Sequence, residues 1–254
     1  MKTLLSCLIF LFSLMPTEDE VKSKMNRADR NFEKRFKSVE NGKASSKFID
    51  RAIKLYGKAP DSEEKYIGLL RSYEFKGSWT NISDEEATEI YNKAVEIGRS
   101  IKDQYPNSAG IWYWYIANLS RWGDQVSITE AAKEGVLDEI KTVTEKIIGL
   151  DPSYQEAGAL RLLGGIHLKA PNIPFVLTWP SDDEAKKLLS RAYEIAPQNA
   201  ANTYYYSLML INEEQHAKAK TTLEEFIKRE AREDFLLADR KFIAKGKELY
   251  EEEF

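Results

Sequence analysis

The 254-residue chain carries 37 basic and 41 acidic side chains, which give a net charge of −4, and 43% of its residues are hydrophobic. This composition is typical of a globular protein and argues against a nucleic-acid-binding surface, which requires clustered basic residues. The single cysteine, Cys7, excludes an internal disulfide and a cysteine-based metal site. Because glycine and proline are scarce, the composition favours helix throughout.

The first 15 residues are predicted to be an export signal. Lys2 is followed by an apolar run that ends before Pro16, and this run is shorter than the roughly 20 residues that a membrane-spanning helix needs. We therefore expect a protein of the periplasm or envelope. The sequence "LLSC" resembles a lipoprotein box at Cys7, but only six residues precede it, so export without lipidation is favoured. A buried N-terminal helix is the alternative interpretation.

Four prolines recur at intervals of 46, 46 and 45 residues: Pro60, Pro106, Pro152 and Pro197. Each follows the end of an apolar helical pattern, and a fixed period of this length indicates stacked supersecondary units. Each period has room for two helices. We therefore predict one helical repeat domain over residues 46–254, preceded by a polar linker or loose helix over residues 16–45.

The pattern of apolar residues and helix caps predicts about ten helices and no sheet. The capping pairs are Ser83 with Glu86, Ser153 with Glu156, and Ser181 with Glu184. The predicted helices lie near 46–57, 62–76, 84–104, 109–122, 129–149, 154–167, 182–195, 199–212, 215–230 and 233–252. Ala185, Ala192 and Pro197 match the spacing of small residues and proline in a tetratricopeptide repeat. The expected fold is therefore all-α, a tetratricopeptide-like superhelix of antiparallel helix pairs.

The helix predicted at 109–122 contains the sequence "WYWY", which sweeps about 300° of a helix surface. Trp112 and Tyr115 are expected in the core. Trp114, Asn118 and Arg121 form a second stripe, which is both polar and aromatic. This stripe either faces a ligand in a concave wall or caps a neighbouring loop.

Three other segments carry large apolar side chains. The proline-rich connection "LKAPNIPFVLTWP" contains Phe175 and Trp179, and it is expected to fold back over a surface. The helix with "TYYYSLML" contains Tyr205, whose apolar ring and polar tip suit a pocket. The last helix has an apolar face that either docks on the last repeat or pairs with another copy of the chain: Phe235, Phe242 and Leu249.

Catalytic and metal-binding motifs are missing from the sequence. Neither His167 nor His216 lies in a zinc-binding pattern, and no phosphate-binding or nucleophile motif is present. We therefore expect no enzyme activity, no cofactor and no metal. A hydrolase is a distant alternative, which would need two carboxyl groups converging in a cleft.

Three stretches together resemble the T components associated with TRAP transporters, over residues 85–254. These stretches are "YWYIANLSRW", "LDPSYQEAGALRLLGGIHLKAPNIPF" and "IAPQNAANTYYYSLMLI". The resemblance implies a non-enzymatic periplasmic accessory protein that pairs with an extracytoplasmic solute-binding protein. It also implies a central channel for an apolar or organic-acid ligand, and Asn118, Trp122 and Arg161 match recurring positions of the family. The chain departs from the family at "VLTWP", where glycine and lysine are usual, which puts the ligand and partner in question.

We predict ligand or partner contacts at eight residues: Trp114, Asn118, Arg121, Trp122, Arg161, Phe175, Trp179 and Tyr205. The rival hypothesis is a protein–protein scaffold for envelope assembly that has no small ligand, because tetratricopeptide-like folds serve many functions. An open concave groove would favour the scaffold, and a closed, lined channel would favour the transporter role.

Overall fold

A computed structural model describes residues 18–125, 135–171, 173, 175 and 177–254. The predicted export signal and Cys7 lie outside the described residues. No helix of the described part is long and apolar enough to cross a membrane.

The described residues form eleven α-helices and one short hairpin. The helices are α1 (Glu18–Glu33), α2 (Ser46–Tyr56), α3 (Glu63–Trp79), α4 (Asp84–Ile101), α5 (Ala109–Gly123), α6 (Val136–Leu150), α7 (Tyr154–Lys169), α8 (Asp182–Ile195), α9 (Ala200–Asn212), α10 (His216–Phe226) and α11 (Leu236–Glu253). The hairpin strands are β1 (Val39–Glu40) and β2 (Lys43–Ala44). The all-α, helix-pair architecture predicted from the sequence is confirmed, and the four periodic prolines follow α2, α4, α6 and α8.

Side-chain caps fix where several helices begin. Ser83 and Ser181 each accept a hydrogen bond from the backbone N–H three residues later, as the sequence predicts. The cap predicted at Ser153 is wrong. The Ser153 hydroxyl donates to Asp151 Oδ1 at 2.6 Å and does not cap α7. The Glu156 carboxylate instead accepts a hydrogen bond from the Asn199 side chain, just before α9.

The helices form an inner and an outer row. Each helix packs against the next in the chain, and the odd-numbered helices α1 to α11 also contact one another in order. The odd-numbered helices therefore line the inside of a stack of antiparallel pairs, and the even-numbered helices form its outer surface. Trp112 and Tyr115 of α5 are buried between the two rows, which confirms their predicted core role.

The segment 16–45 contains a packed helix where the sequence suggested a linker or loose helix. Ala28 of α1 is completely buried beside Ala52 and Tyr56, and the Tyr56 hydroxyl donates to Asp29 Oδ1 at 2.5 Å. Met25 and Phe32 of α1 pack against the same cluster, at helical spacing from Ala28.

The expectation of no sheet is also wrong, at one place. Val39 pairs with Ala44, and Glu40 pairs with Lys43, in an antiparallel hairpin. Asn41 and Gly42 form its turn with φ values of 50° and 75°. Asn-Gly favours this left-handed turn, but strands of two residues are too short to show an alternating apolar pattern.

The stack curls until its last helix meets its first pairs. The Arg35 guanidinium donates to the Asp234 carbonyl at 2.7 Å. Leu237 of α11 is buried beside Phe75, and Lys241 Nζ lies 5.6 Å from the centroid of the Trp79 ring. We call this contact between the two ends the closing seam: Arg35, Phe75 and Trp79 on one side, and Asp234, Leu237 and Lys241 on the other.

The predicted apolar face of the last helix docks on the last repeat. The Phe242 ring lies 5.6 Å from Tyr204, and Leu249 is buried with Leu223 and Phe226. α11 therefore connects the last helix pair to the first ones.

Candidate functional site

The inner faces of the odd-numbered helices surround a cavity of about 780 Å³. Its volume lies within the range usual for small-ligand pockets, about 300 to 1,000 Å³. Its walls combine four arginines with aromatic rings, which include Phe75, Trp79, Trp114, Tyr205, Phe235 and Phe242. The closing seam forms one side of this cavity, so residues from both ends of the chain line it together with residues from the middle.

Trp114 and Arg121 of α5 both line the cavity. Arg121 Nε lies 3.1 Å from Glu74 Oε1, and Arg121 also pairs with Asp124 at 3.7 Å. Burial by itself lowers the pKa of Arg121, but the two carboxylates outweigh burial and raise it above its ordinary value. The Arg121 charge is therefore neutralised within the protein by Glu74 and Asp124.

Asn118 does not face the cavity. It is completely buried, and its amide donates to the carbonyls of Leu70, at 3.1 Å, and Trp114, at 2.7 Å. The side chain thus connects α5 to α3 behind the cavity wall.

Arg161 of α7 lines the cavity and belongs to a buried polar network. Its NH1 donates to Asn202 Oδ1 at 2.6 Å, while the Asn202 amide donates to the carbonyls of Glu156, Ala192 and Ala196. The Glu156 carboxylate accepts hydrogen bonds from Asn199, Gln198 and Arg232. We call Glu156, Arg161, Asn199, Asn202 and Arg232 the polar hub.

The polar hub surrounds an unusual stretch of backbone. Gln155, Glu156 and Ala157 have φ values of 51°, 53° and 63°, in the left-handed region. This conformation costs about 1–2 kcal/mol for each residue with a side chain. The bonds to the Glu156 carbonyl and carboxylate hold this turn in place against that cost.

Tyr205 of α9 lines the opposite wall. Lys169 Nζ lies 5.0 Å from the centroid of its ring, and the Phe242 ring lies 6.0 Å away. Burial raises the pKa of Tyr205, so its hydroxyl stays protonated at neutral pH. Burial, and after it Lys245, lowers the pKa of Lys169.

Besides Asn118, three more of the predicted residues lie outside the cavity lining. Trp122 packs on the core between α5 and α6, and Trp179 Nε1 donates to Asp138 Oδ1 at 2.8 Å while its ring meets His167. Phe175 is fully exposed, with a φ of 64°, between Ile173 and Leu177, which exchange two backbone hydrogen bonds. Among the eight predicted residues, the structure therefore brings together Trp114, Arg121, Arg161 and Tyr205.

Sequence reasoning missed a second group of cavity residues at the start of the chain. The Arg35 guanidinium carbon lies 4.3 Å from the centroid of Phe32 and 4.4 Å from that of Phe36. The Arg71 guanidinium lies 4.1 Å from the Phe32 centroid, and the Phe75 ring meets Phe36 at 5.4 Å. We call these five residues the arginine–phenylalanine cluster. Phe32 and Phe36 lie four residues apart, which is a helical spacing, within a segment for which the sequence predicts a linker or loose helix.

Metal-ligating side chains do not converge in the described part of the cavity. Among the residues that the structure describes, no group of three or more His, Cys, Asp or Glu side chains is placed to hold a metal ion. The cavity chemistry in this part of the chain is that of aromatic rings, arginines and paired carboxylates.

The chain is similar in fold to a solved structure, a thermophilic tetratricopeptide repeat (TPR) protein from Thermus thermophilus. The two share 13% sequence identity, with a TM-score of 0.59, over 89% of this chain and 98% of that chain. No protein-family model and no curated protein matches the chain. The likeness shows a TPR-like helical fold, and the prediction of a tetratricopeptide-like superhelix is confirmed at that level.

Proposed function

We propose that the protein is a non-enzymatic binding protein of the envelope, which works with a TRAP-type solute-binding protein in the manner of the T components. In this proposal the central cavity binds an organic acid with an apolar body. The observation that supports this is the closing seam, because an open scaffold groove would leave the two ends of the stack apart. Export to the periplasm is part of the proposal.

The cavity walls suit such a ligand. Trp79, Trp114, Tyr205 and Phe242 offer aromatic surface from four different helices, and burying an apolar chain against them gains about 25 cal/mol per Å². The arginines of the cavity provide positive charge for an acidic group. Aromatic walls together with a few polar groups are the usual composition of small-molecule pockets.

Phe175 is the residue that we propose for the partner contact. Its ring is fully exposed, and its neighbour Leu177 is buried in the core cluster of α5 and α6. An exposed aromatic ring is a suitable residue for insertion into an apolar pocket of a partner protein.

A cavity-filling variant tests ligand binding. Ala117 lines the cavity on α5, so Ala117→Phe occupies space that a ligand needs, whereas Ala217 is exposed on the outer helix α10. We expect wild-type protein and Ala217→Phe to bind decanoate, followed by tryptophan fluorescence because Trp79 and Trp114 line the cavity. Ala117→Phe should bind at least tenfold more weakly.

The proposal is wrong if wild-type protein binds neither decanoate nor decanol, or if Ala117→Phe binds them as wild type does. A protein–protein scaffold without a small ligand then becomes the better hypothesis.

A further inference from the structure

We propose that the acidic group of the cavity ligand binds between Arg35 and Arg71, in the arginine–phenylalanine cluster, and that Arg161 is a structural residue. The ligand class is a monocarboxylic acid with an apolar chain. This inference rests on the proposed function for the existence of a cavity ligand, and it assigns the position of the carboxylate within the cavity.

Two arginines of the cavity wall lie against the same aromatic ring. Both guanidinium groups contact the Phe32 ring, at 4.3 and 4.1 Å from its centroid, and both residues line the cavity. A carboxylate can accept two parallel hydrogen bonds from a guanidinium group, so a pair of arginines forms a strong carboxylate site.

The hydrogen bonds of Arg35 leave its charge without an ionic partner. Its NH1 and NH2 donate to the carbonyls of Phe32, at 3.2 Å, and Asp234, at 2.7 Å, and no described carboxylate forms an ion pair with it. Burial is the largest influence on this group and, with Arg71 nearby, lowers the pKa of Arg35 to about 10 although Asp234 opposes the change. An anion placed here would relieve the cost of this buried charge.

Arg71 also has an unused donor. Its NH2 bonds to Asp29 Oδ1 and to the Tyr56 hydroxyl, both at 2.9 Å, while its Nε is buried and has no partner in the described structure. A carboxylate bound at this end of the cavity would lie beside the Arg71 guanidinium group.

The other two cavity arginines are already occupied. Arg121 is paired with Glu74 and Asp124, and Arg161 donates to Asn202 at 2.6 Å within the polar hub. A carboxylate at Arg161 would have to compete with Asn202, which holds that guanidinium in place.

Arg71 pairs with Asp29 at 2.9 Å, whereas Arg35 is held only by two backbone carbonyls. Among the residues that the structure describes, Arg35 is therefore the cavity arginine that is bound to neither a carboxylate nor a side-chain amide.

The surroundings of the two cations define the rest of the ligand. Phe36, Phe75 and Trp79 flank the arginines and continue the cavity wall away from them. A chain attached to the carboxylate would thus lie on aromatic surface, whereas a small inorganic anion would leave that surface uncovered.

Calorimetric titration of the full chain with decanoate and with decanol tests the assignment. We expect Arg35→Met and Arg71→Met each to weaken decanoate binding at least tenfold and to change decanol binding less than twofold. Arg161→Met and Arg191→Met should bind decanoate as wild type does, since Arg191 is exposed on the outer helix α8.

Two further variants separate charge from folding. Arg35→Lys and Arg71→Lys keep the positive charge and should retain more decanoate affinity than the methionine variants, while urea unfolding monitors the stability of every variant. The assignment is overturned if Arg161→Met loses tenfold affinity, or if both methionine variants bind decanoate normally. Failure of the wild type to bind either probe would overturn the proposed function itself.

Discussion

At the level of single residues, the sequence predicts which side chains are buried in the core better than it predicts which side chains line the cavity. Trp112 and Tyr115 are buried as predicted, because several large rings on one helix cannot all face solvent. The helical stripe groups Asn118 with Trp114, but Asn118 binds the carbonyl of Leu70, 48 residues earlier. No local pattern reveals a partner so distant, and for the same reason the sequence does not point to Arg35 and Arg71.

Phe175 combines a strained backbone conformation with a fully exposed side chain. A side chain at a φ of 64° is strained, and glycine adopts this conformation freely. We predict that Phe175→Gly leaves the free energy of unfolding unchanged or slightly higher, yet abolishes binding to the solute-binding protein that we propose as a partner. Urea unfolding and pairwise binding to candidate extracytoplasmic solute-binding proteins measure the two effects.

Phe175→Ser is the matched variant, because it removes the ring but keeps a side chain at the strained position. Both variants should lose partner binding, and only the glycine variant should relieve strain. If both variants bind the partner as wild type does, the Phe175 ring does not contribute to partner binding.

At the level of helices, the predicted boundaries agree closely with the structure wherever a proline or a serine marks the end or the start of a helix. Gly164 of α7 allows close packing, since a Cβ there would lie 2.8 Å from Leu189. By contrast, the sequence predicts only a linker or loose helix for the segment that contains α1, and it does not predict the hairpin. The contact of α1 relies on Ala28 with Met25 and Phe32, and the hairpin relies on a turn rather than on its strands. A stripe of three residues in a polar segment is a weak signal, and strands of two residues show no alternating pattern.

The start of α7 makes stability depend on pH. Burial raises the pKa of Glu156, but hydrogen bonds from Arg232, Asn199 and Gln198 outweigh burial and hold it below its ordinary value of 4.5. The ionised carboxylate therefore stabilises the fold above about pH 4.5, and this contribution is lost as the pH falls through the lower folded-state pKa.

We predict that Glu156→Gln lowers the free energy of unfolding by about 1–3 kcal/mol at neutral pH, because Arg232 loses a charged partner. The variant should also lose less stability than wild type when the pH falls below 4.5. Urea unfolding across pH measures both effects. Glu145→Gln is the control, since Glu145 forms an exposed pair with Lys141. Parallel pH curves for wild type and Glu156→Gln would contradict the prediction.

At the level of the whole molecule, the repeat period predicts stacked pairs but not how far the stack curls. The bond from Arg35 to the Asp234 carbonyl joins residues 199 positions apart, and curvature accumulates from small rotations at every pair. The cavity exists because of that accumulated curvature. This is why the sequence predicted individual wall residues but not which of them meet.

A substitution at Leu237 tests whether the closing seam couples the stability of α11 to that of α2. Leu237 is 3% exposed and packs beside Ala44, Ile49 and Phe75, so Leu237→Ala should cost about 2–5 kcal/mol. We predict that this change in α11 also accelerates amide hydrogen exchange in α2, which is distant in sequence. Hydrogen-exchange mass spectrometry measures the effect.

Leu249→Ala is the control on the same helix. Leu249 is buried against Leu223 and Phe226 of α10, so this variant should destabilise the protein without selectively loosening α2. Equal acceleration in α2 by both variants would mean that the seam does not couple the ends.

The closing seam joins helices that are far apart in the chain, whereas the most extensive inner contacts of the described part join successive pairs. Separating the seam would uncover the cavity without pulling apart any two adjacent repeats. The residence time of an enclosed molecule would then depend on how often the seam opens, more than on the contacts that the molecule makes with the walls. A substitution of Lys241, which belongs to the seam but not to the cavity lining, would thus change occupancy while leaving every wall side chain intact.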